Sequence, residues 1–176
     1  MIKSAKMYED EVRQLMRNTW YDLRYQYVNG GVGCTDFVAP DSIWESHMFV
    51  SVDPDTDKVV GIVGYEVDWV GKSASSFFAM SFIEGGSTLF ARDLLQVVDD
   101  IFQKYHLNRM DWWCWADNPV INAYRKLCHR FGGREVGTLK ERGRLLDGLL
   151  HDSVLFELMS KDYLENARFK KDKEGD

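Results

Sequence analysis

At Gly85-Gly86 the spacing of apolar residues changes from every second residue to every third or fourth. Upstream, two alternating stretches, Met48 to Val52 and Val59 to Val70, flank the turn sequence Asp53-Pro54-Asp55-Thr56-Asp57, which predicts a β-hairpin. After Gly71-Lys72, the stretch Phe77 to Ile83 is nearly continuously apolar and predicts a third, central strand of the same antiparallel meander. Downstream, Phe90, Leu94, Val97, Val98, Ile101, Phe102 and Tyr105 form one helical stripe. A meander that passes through two glycines into an amphipathic helix restricts the chain to an α/β (α+β) architecture, with helices laid against a mixed, mostly antiparallel sheet.

The flanking segments extend this pattern. Tyr8, Val12, Leu15 and Met16, continued by Trp20, Leu23, Tyr27 and Val28, predict one long or two short amphipathic helices, stopped by Asn29-Gly30-Gly31. Met110 to Trp115 predicts a short aromatic strand. Asn118-Pro119 then supplies an N-cap with proline at the first helical position. The helix it opens turns Val120, Tyr124, Leu127, Cys128 and Phe131 inward and ends at Gly132-Gly133. Glu135 to Lys140 and Ser153 to Met159 predict two closing strands around a loop rich in Arg, Leu and Gly. At 176 residues one core suffices, so the reading is a single domain over residues 1–165 with a charged tail over 166–176.

Composition excludes several classes. The beginning of the chain lacks the apolar run of a signal peptide, and no stretch approaches the roughly 18 apolar residues that cross a bilayer. Cys34, Cys114 and Cys128 are an odd number at irregular spacing, which suits reduced thiols and a cytoplasmic protein. Cys114, Cys128 and His129 lack the spacing of a metal site, so no metal is expected. The net charge of −6 argues against nucleic acid as a partner, although seven basic residues lie between Arg125 and Arg144, on a solvated face or one meeting an anion. Alternation puts Trp112 on one face of its strand and Trp113 with Trp115 on the other. At least one face packs on a helix, and the other is open to stacking.

The order of elements, together with Asn118-Pro119-Val120-Ile121-Asn122-Ala123-Tyr124-Arg125-Lys126, then Gly132-Gly133-Arg134-Glu135-Val136-Gly137, then Asp147-Gly148 and Asp152, resembles the GNAT superfamily of acyl-CoA N-acyltransferases over nearly the whole chain. The resemblance implies acetyl-CoA as co-substrate and a small-molecule or peptide amine as acceptor. It places the pantetheine arm along Ser81, Phe82 and Ile83. The coenzyme A diphosphate falls on the glycine turn and helix start at Gly85, Gly86, Ser87, Thr88 and Ala91, with Asn118 nearby. A helix start offers unpaired N–H groups and a positive dipole end, which suit a diphosphate.

Tyr124 is the implied general acid, or else a core tyrosine. For the general base, Glu66 shares a strand face with Asp68, and crowded carboxylates raise a pKa; Glu84, beside the glycine turn, competes. The family's phosphate loop, read as Arg or Gln, two residues, Gly, one residue, then Gly or Ala, becomes Gly86-Ser87-Thr88-Leu89-Phe90-Ala91 here, where Ala91 alone matches and Leu89 stands at a glycine position. A GNAT-fold protein that has lost catalysis and serves in binding or structure is therefore the second reading, and such relatives occur among bacteriophage proteins. The acceptor walls are expected from Cys34 to Glu45 and from Arg142 to His151. The aromatic content leaves room for a homodimer interface.

Overall fold

The computed structural model describes residues 1–28, 36–41 and 44–174, with side chains as far as residue 167. Strand β1 (Ile2–Ser4) leads through a 3-10 turn into helix α1 (Glu9–Thr19). Strands β2 (Ser46–Val52), β3 (Val59–Asp68) and β4 (Ser73–Ser81) follow, then α2 (Thr88–Gln103), β5 (Arg109–Trp115) and α3 (Ile121–Phe131). The chain closes with β6 (Arg134–Arg144), β7 (Leu150–Met159) and α4 (Ser160–Glu174). The seven strands form one sheet in the order β1-β2-β3-β4-β5-β7-β6, antiparallel throughout except for the parallel pair β4 and β5. This is the mixed, mostly antiparallel sheet that the periodicity implied.

Helices cover both faces. Ala74, Phe77, Met110, Trp112 and Phe156 face α2, α3 and α4, where they meet Val98, Ile101, Phe102, Cys128, Phe131 and Tyr163 in the larger core. Val50, Val52, Ile62 and Met80 face α1 and meet Val12, Phe37 and Ala39 in a smaller one. Strand β3 is buried on both sides from Val59 through Tyr65, which is why its alternation reads as almost uninterrupted apolar sequence. Gly61 permits a close approach of a helix. A Cβ there would lie 2.5 Å from Phe90 Cδ2, so the ring at the start of α2 seats directly on the β3 backbone.

Several boundaries differ from the sequence reading. After α1, only a 3-10 turn at Leu23–Tyr25 remains of the expected second helix, and its N-cap Asp22 accepts the Arg24 N–H. The β4 strand begins at Ser73 and stops at Ser81, earlier at both ends than the apolar run suggested. Val120 is 38% exposed while its neighbour Ile121 is buried, because α3 starts after a turn at Asn118 rather than at Pro119. Gly132 does end that helix, in the left-handed region at φ 79°. Helix α4 was not anticipated, and it runs into the expected tail, with Tyr163 packed against Phe102 and Phe131. Cys34 lies outside the described residues; Cys114 and Cys128 are buried free thiols. Among the described residues, no helix is long and apolar enough to cross a membrane and no cluster of side chains could hold a metal.

Candidate active site

Strands β4 and β5 pair only at Ser73↔Arg109 and Ala74↔Met110. The cause of their divergence lies one strand away. The β3–β4 register shifts between Gly64 and Glu66, so that Ser76 and Phe77 together oppose the single residue Tyr65, and Ser76 takes a φ of 53°. An extra residue of this kind bends a strand and sharpens its twist, which carries the rest of β4 away from β5. A cavity of about 410 Å³ fills the opening and reaches both faces of the sheet.

The edge of β4 that borders this cavity is unpaired. The Phe82 N–H donates to Val60 O at 2.9 Å. In an antiparallel pair a residue turns both main-chain groups to the same side, so Met80 and Phe78 also face β3, and Ala79 and Ser81 turn theirs toward the gap. Of the three residues that resemblance assigned to the pantetheine arm, Ser81 thus turns its main chain away from β3, beyond the part of β4 that lines the cavity. Phe82 commits its N–H to β3, and the Ile83 N–H meets Ser81 Oγ at 3.2 Å.

Phe77, Cys114, Asn118, Val120 and Tyr124 line the cavity on the α3 side. Asn118 Oδ1 accepts the Val120 N–H at 3.1 Å and its C=O accepts the Ile121 N–H at 2.9 Å, a turn that projects the start of α3 over the gap. The Tyr124 ring lies edge-on to Trp112 at 5.8 Å and against Phe156 at 6.0 Å, and its hydroxyl makes no hydrogen bond among the described residues. Burial pushes that phenol above its ordinary pKa, so it is protonated at neutral pH and available as a donor. Burial likewise pushes the Cys114 thiol to about 12, which removes it as a nucleophile.

At the C-terminal end of β4, Gly85 and Gly86 have φ values of 75° and 89°, and a Cβ on either would meet nothing within 4 Å. They face open space. Ser87 caps α2, its Oγ accepting the Phe90 N–H at 3.2 Å, and its C=O accepts the Ala91 N–H at 2.9 Å. Because the Phe90 ring is turned inward onto Gly61, it does not fill the mouth of this turn. The loop sequence has no basic residue of its own, but Arg24 stands beside it, 3.0 Å from Glu84 and 2.6 Å from Asp22. Sequence reasoning had no means of finding it, since the two partners are sixty positions apart.

The two candidate bases are separated. Glu66 accepts the Ser76 hydroxyl at 3.3 Å and so stands beside the bulge that opens the cavity. Asp68 is not its partner: Asp68 Oδ1 accepts the N–H groups of Val70 and Gly71, both at 2.9 Å, and shapes the β3–β4 turn. Glu84 is 83% exposed beside the glycine turn, held by Arg24.

On the α1 side the cavity is walled by Met16, Tyr27, Val28, Phe78, Trp113 and Trp115. Trp115 Nε1 donates to Tyr27 O at 3.1 Å, and the two tryptophan rings meet edge-on at 5.2 Å. The Arg142 guanidinium sits 3.9 Å from the Trp113 ring centre. At the rim, His151 is held between two carboxylates, with Nδ1 2.7 Å from Asp117 Oδ2 and Nε2 3.0 Å from Asp147 Oδ2. This cluster was missed in the sequence because its members come from the ends of β5 and β7 and the turn between β6 and β7.

Those contacts, Asp147 foremost, raise the His151 pKa. A cation favoured in the folded state stabilises it fully below the free imidazole value of about 6.5 and loses that contribution as pH rises through the raised folded value. The stability difference between the native chain and a His151→Gln variant, measured by urea unfolding, is therefore expected to be largest near pH 6 and to shrink toward pH 9. A difference that stays flat over that range would remove the charged clamp.

Three of the seven basic residues between Arg125 and Arg144 are paired with carboxylates. Arg125 meets Glu135 at 2.6 Å, Arg134 meets Glu157 at 2.7 Å and Lys140 meets Asp152 at 2.7 Å. A phosphate backbone would have to displace a carboxylate at each of these positions.

A meander of β2, β3 and β4, a glycine turn into α2, and a parallel β4–β5 pair that splays around a through-sheet cavity together make the GNAT fold. Comparison with solved structures gives the same answer. A single-substitution variant of the spermidine N-acetyltransferase SpeG from Vibrio cholerae superposes over 95% of this chain and 99% of that one, with a TM-score of 0.70 and 17% identity. A chimera of SpeG with hSSAT superposes over 68% of this chain and 71% of its own, with a TM-score of 0.58 and 24% identity. SpeG in complex with manganese ions covers 89% of this chain and 77% of its own at a TM-score of 0.59 and 21% identity. No family model and no curated protein sequence matches the chain.

Proposed function

We propose that this protein transfers an acetyl group from acetyl-CoA to an amine acceptor. The observation that carries the reading is the splay itself: an unpaired strand edge and a protonated tyrosine meet at one cavity, and the same strand runs on into a glycine turn that faces open space. The amides of a pantetheine arm would pair with the main chain of Ala79 and Ser81 as an added strand. The diphosphate would meet the N–H groups from Gly85 to Thr88 and the positive end of α2, with Arg24 close by.

An ammonium acceptor must lose a proton before its nitrogen can attack the thioester carbonyl. Glu66, reaching the bulge through Ser76, is the base we favour, with Glu84 the alternative. The departing thiolate takes a proton from Tyr124. That the superposable structures include enzymes named for spermidine N-acetylation supports an amine as acceptor.

A second reading, a catalytically silent binding protein of this fold, is favoured by Leu89 at the glycine position and by the Glu84 carboxylate beside the turn. Calorimetric titration with acetyl-CoA separates the two. Under the first reading heat is released, and a ligand excess of a hundred times Kd adds about 2.7 kcal/mol of stability in thermal unfolding. Neither heat nor stabilisation at millimolar acetyl-CoA would hand the case to the second.

A further inference from the structure

The acceptor half of the cavity carries a chemical preference of its own. Its α1-side wall, from Met16, Tyr27, Val28, Phe78, Trp113 and Trp115, contains no carboxylate, and neither do the other described residues that line the cavity. Beyond that lining, Asp117 and Asp147 are held by His151 and Asp152 by Lys140, while Glu66, beside the bulge, is the carboxylate assigned to the one reacting nitrogen. A positive charge lies on the aromatic wall, the Arg142 guanidinium 3.9 Å from the Trp113 ring centre.

A ligand with several ammonium groups needs a carboxylate for each, because an unpaired charge is costly to desolvate. The described lining of this cavity has none, and the Arg142 guanidinium on the Trp113 ring repels a second cation. One ammonium on a flat apolar body fits instead: the nitrogen reaches the β4 bulge, and the ring packs between Trp115, Phe78 and Met16. We infer that the acceptor is a monoamine carrying a flat hydrophobic group, and not a polyamine. The inference rests on the cavity being the acetyl-transfer site, and it separates this chain from the enzymes with which it superposes.

The test uses phenethylamine, butylamine and spermidine as acceptors with the full chain and saturating acetyl-CoA, reading thiol release. Phenethylamine is expected to have the highest kcat/KM, at least about tenfold above spermidine, since one well-packed aromatic contact of 1.4 kcal/mol corresponds to that factor. Trp115→Ala should raise KM for phenethylamine several-fold more than for butylamine, whereas Trp115→Phe restores most of the loss. Arg142→Glu should improve spermidine relative to phenethylamine. A native preference for spermidine, or equal loss of all three amines in Trp115→Ala, would overturn the assignment. Direct binding of the three amines to the protein alone, followed by quenching of tryptophan fluorescence, must show the same order. That arm judges the acceptor assignment even if acetyl-CoA fails to bind, an outcome that would refute the transfer reading instead.

Discussion

Under the proposed acetyl transfer, Tyr124→Phe is expected to lower kcat by about 10²- to 10⁴-fold, the range that a positioned general acid contributes, with acetyl-CoA affinity unchanged. The substitution is a clean one for physical reasons. The ring is held by Trp112 and Phe156, contacts that phenylalanine keeps, and the hydroxyl makes no hydrogen bond among the described residues that its removal could break. Only the proton is lost. Because burial raises the phenol's pKa, the group is a donor across the neutral range, and the basic limb of the native kcat profile should fall above the ordinary tyrosine value of about 10. Steady-state kinetics with a good acceptor, paired with acetyl-CoA calorimetry on the variant, gives both numbers. Retention of kcat would leave the departing thiolate to solvent protonation and reduce Tyr124 to a packing residue.

What could be read from the sequence, and what could not, divides along the range of the interactions involved. The glycine turn into α2, the left-handed Gly132 and the opposite facing of Trp112 against Trp113 and Trp115 follow from local periodicity and backbone freedom, so they are written in consecutive residues. The same is true of the meander. The bulge at Ser76 and Phe77 is different, since nothing in Ser75-Ser76 announces a residue too many until Tyr65 is set opposite. The divergence of β4 from β5 inherits that difficulty. Arg24 with Glu84, and His151 with Asp117 and Asp147, join side chains that only the folded topology brings together.

The paired-carboxylate idea for Glu66 and Asp68 shows the limit from the other side. Period-two geometry does put both on one face, yet Asp68 also sits at a strand end, where two unpaired N–H groups compete for it and hold it in the turn. Helix α4 escaped notice for a related reason: its charged sequence carries little amphipathic signal, and Tyr163 packs between Phe102 and Phe131. Tertiary packing decided that element, not propensity.

Trp112→Ala will cost about 3–5 kcal/mol of stability, as large aromatic-to-alanine changes in a core do, and for a chain of this length that lowers Tm by roughly 6–20 °C. Trp112 is 1% exposed, its ring stacked on Phe156 at 5.4 Å and 11°, at the centre of the larger core where β5 meets β7. Trp112→Phe should be far milder. The indole Nε1 is buried without a partner among the described residues, so the smaller ring loses volume but also sheds an unpaired donor whose burial costs about 1–3 kcal/mol. Urea unfolding of the two variants gives the comparison, and a Trp112→Ala stability within about 1 kcal/mol of native, inside the scatter of ordinary surface changes, would mean that the ring is not packed as described. The same side chain braces Tyr124 edge-on. Trp112→Phe, though nearly as stable as the native chain, should therefore still lower kcat, because a general acid displaced by even 1 Å loses much of its effect. A core residue whose mild replacement spares stability and harms turnover would tie the sheet's aromatic interior to the chemistry of the cleft.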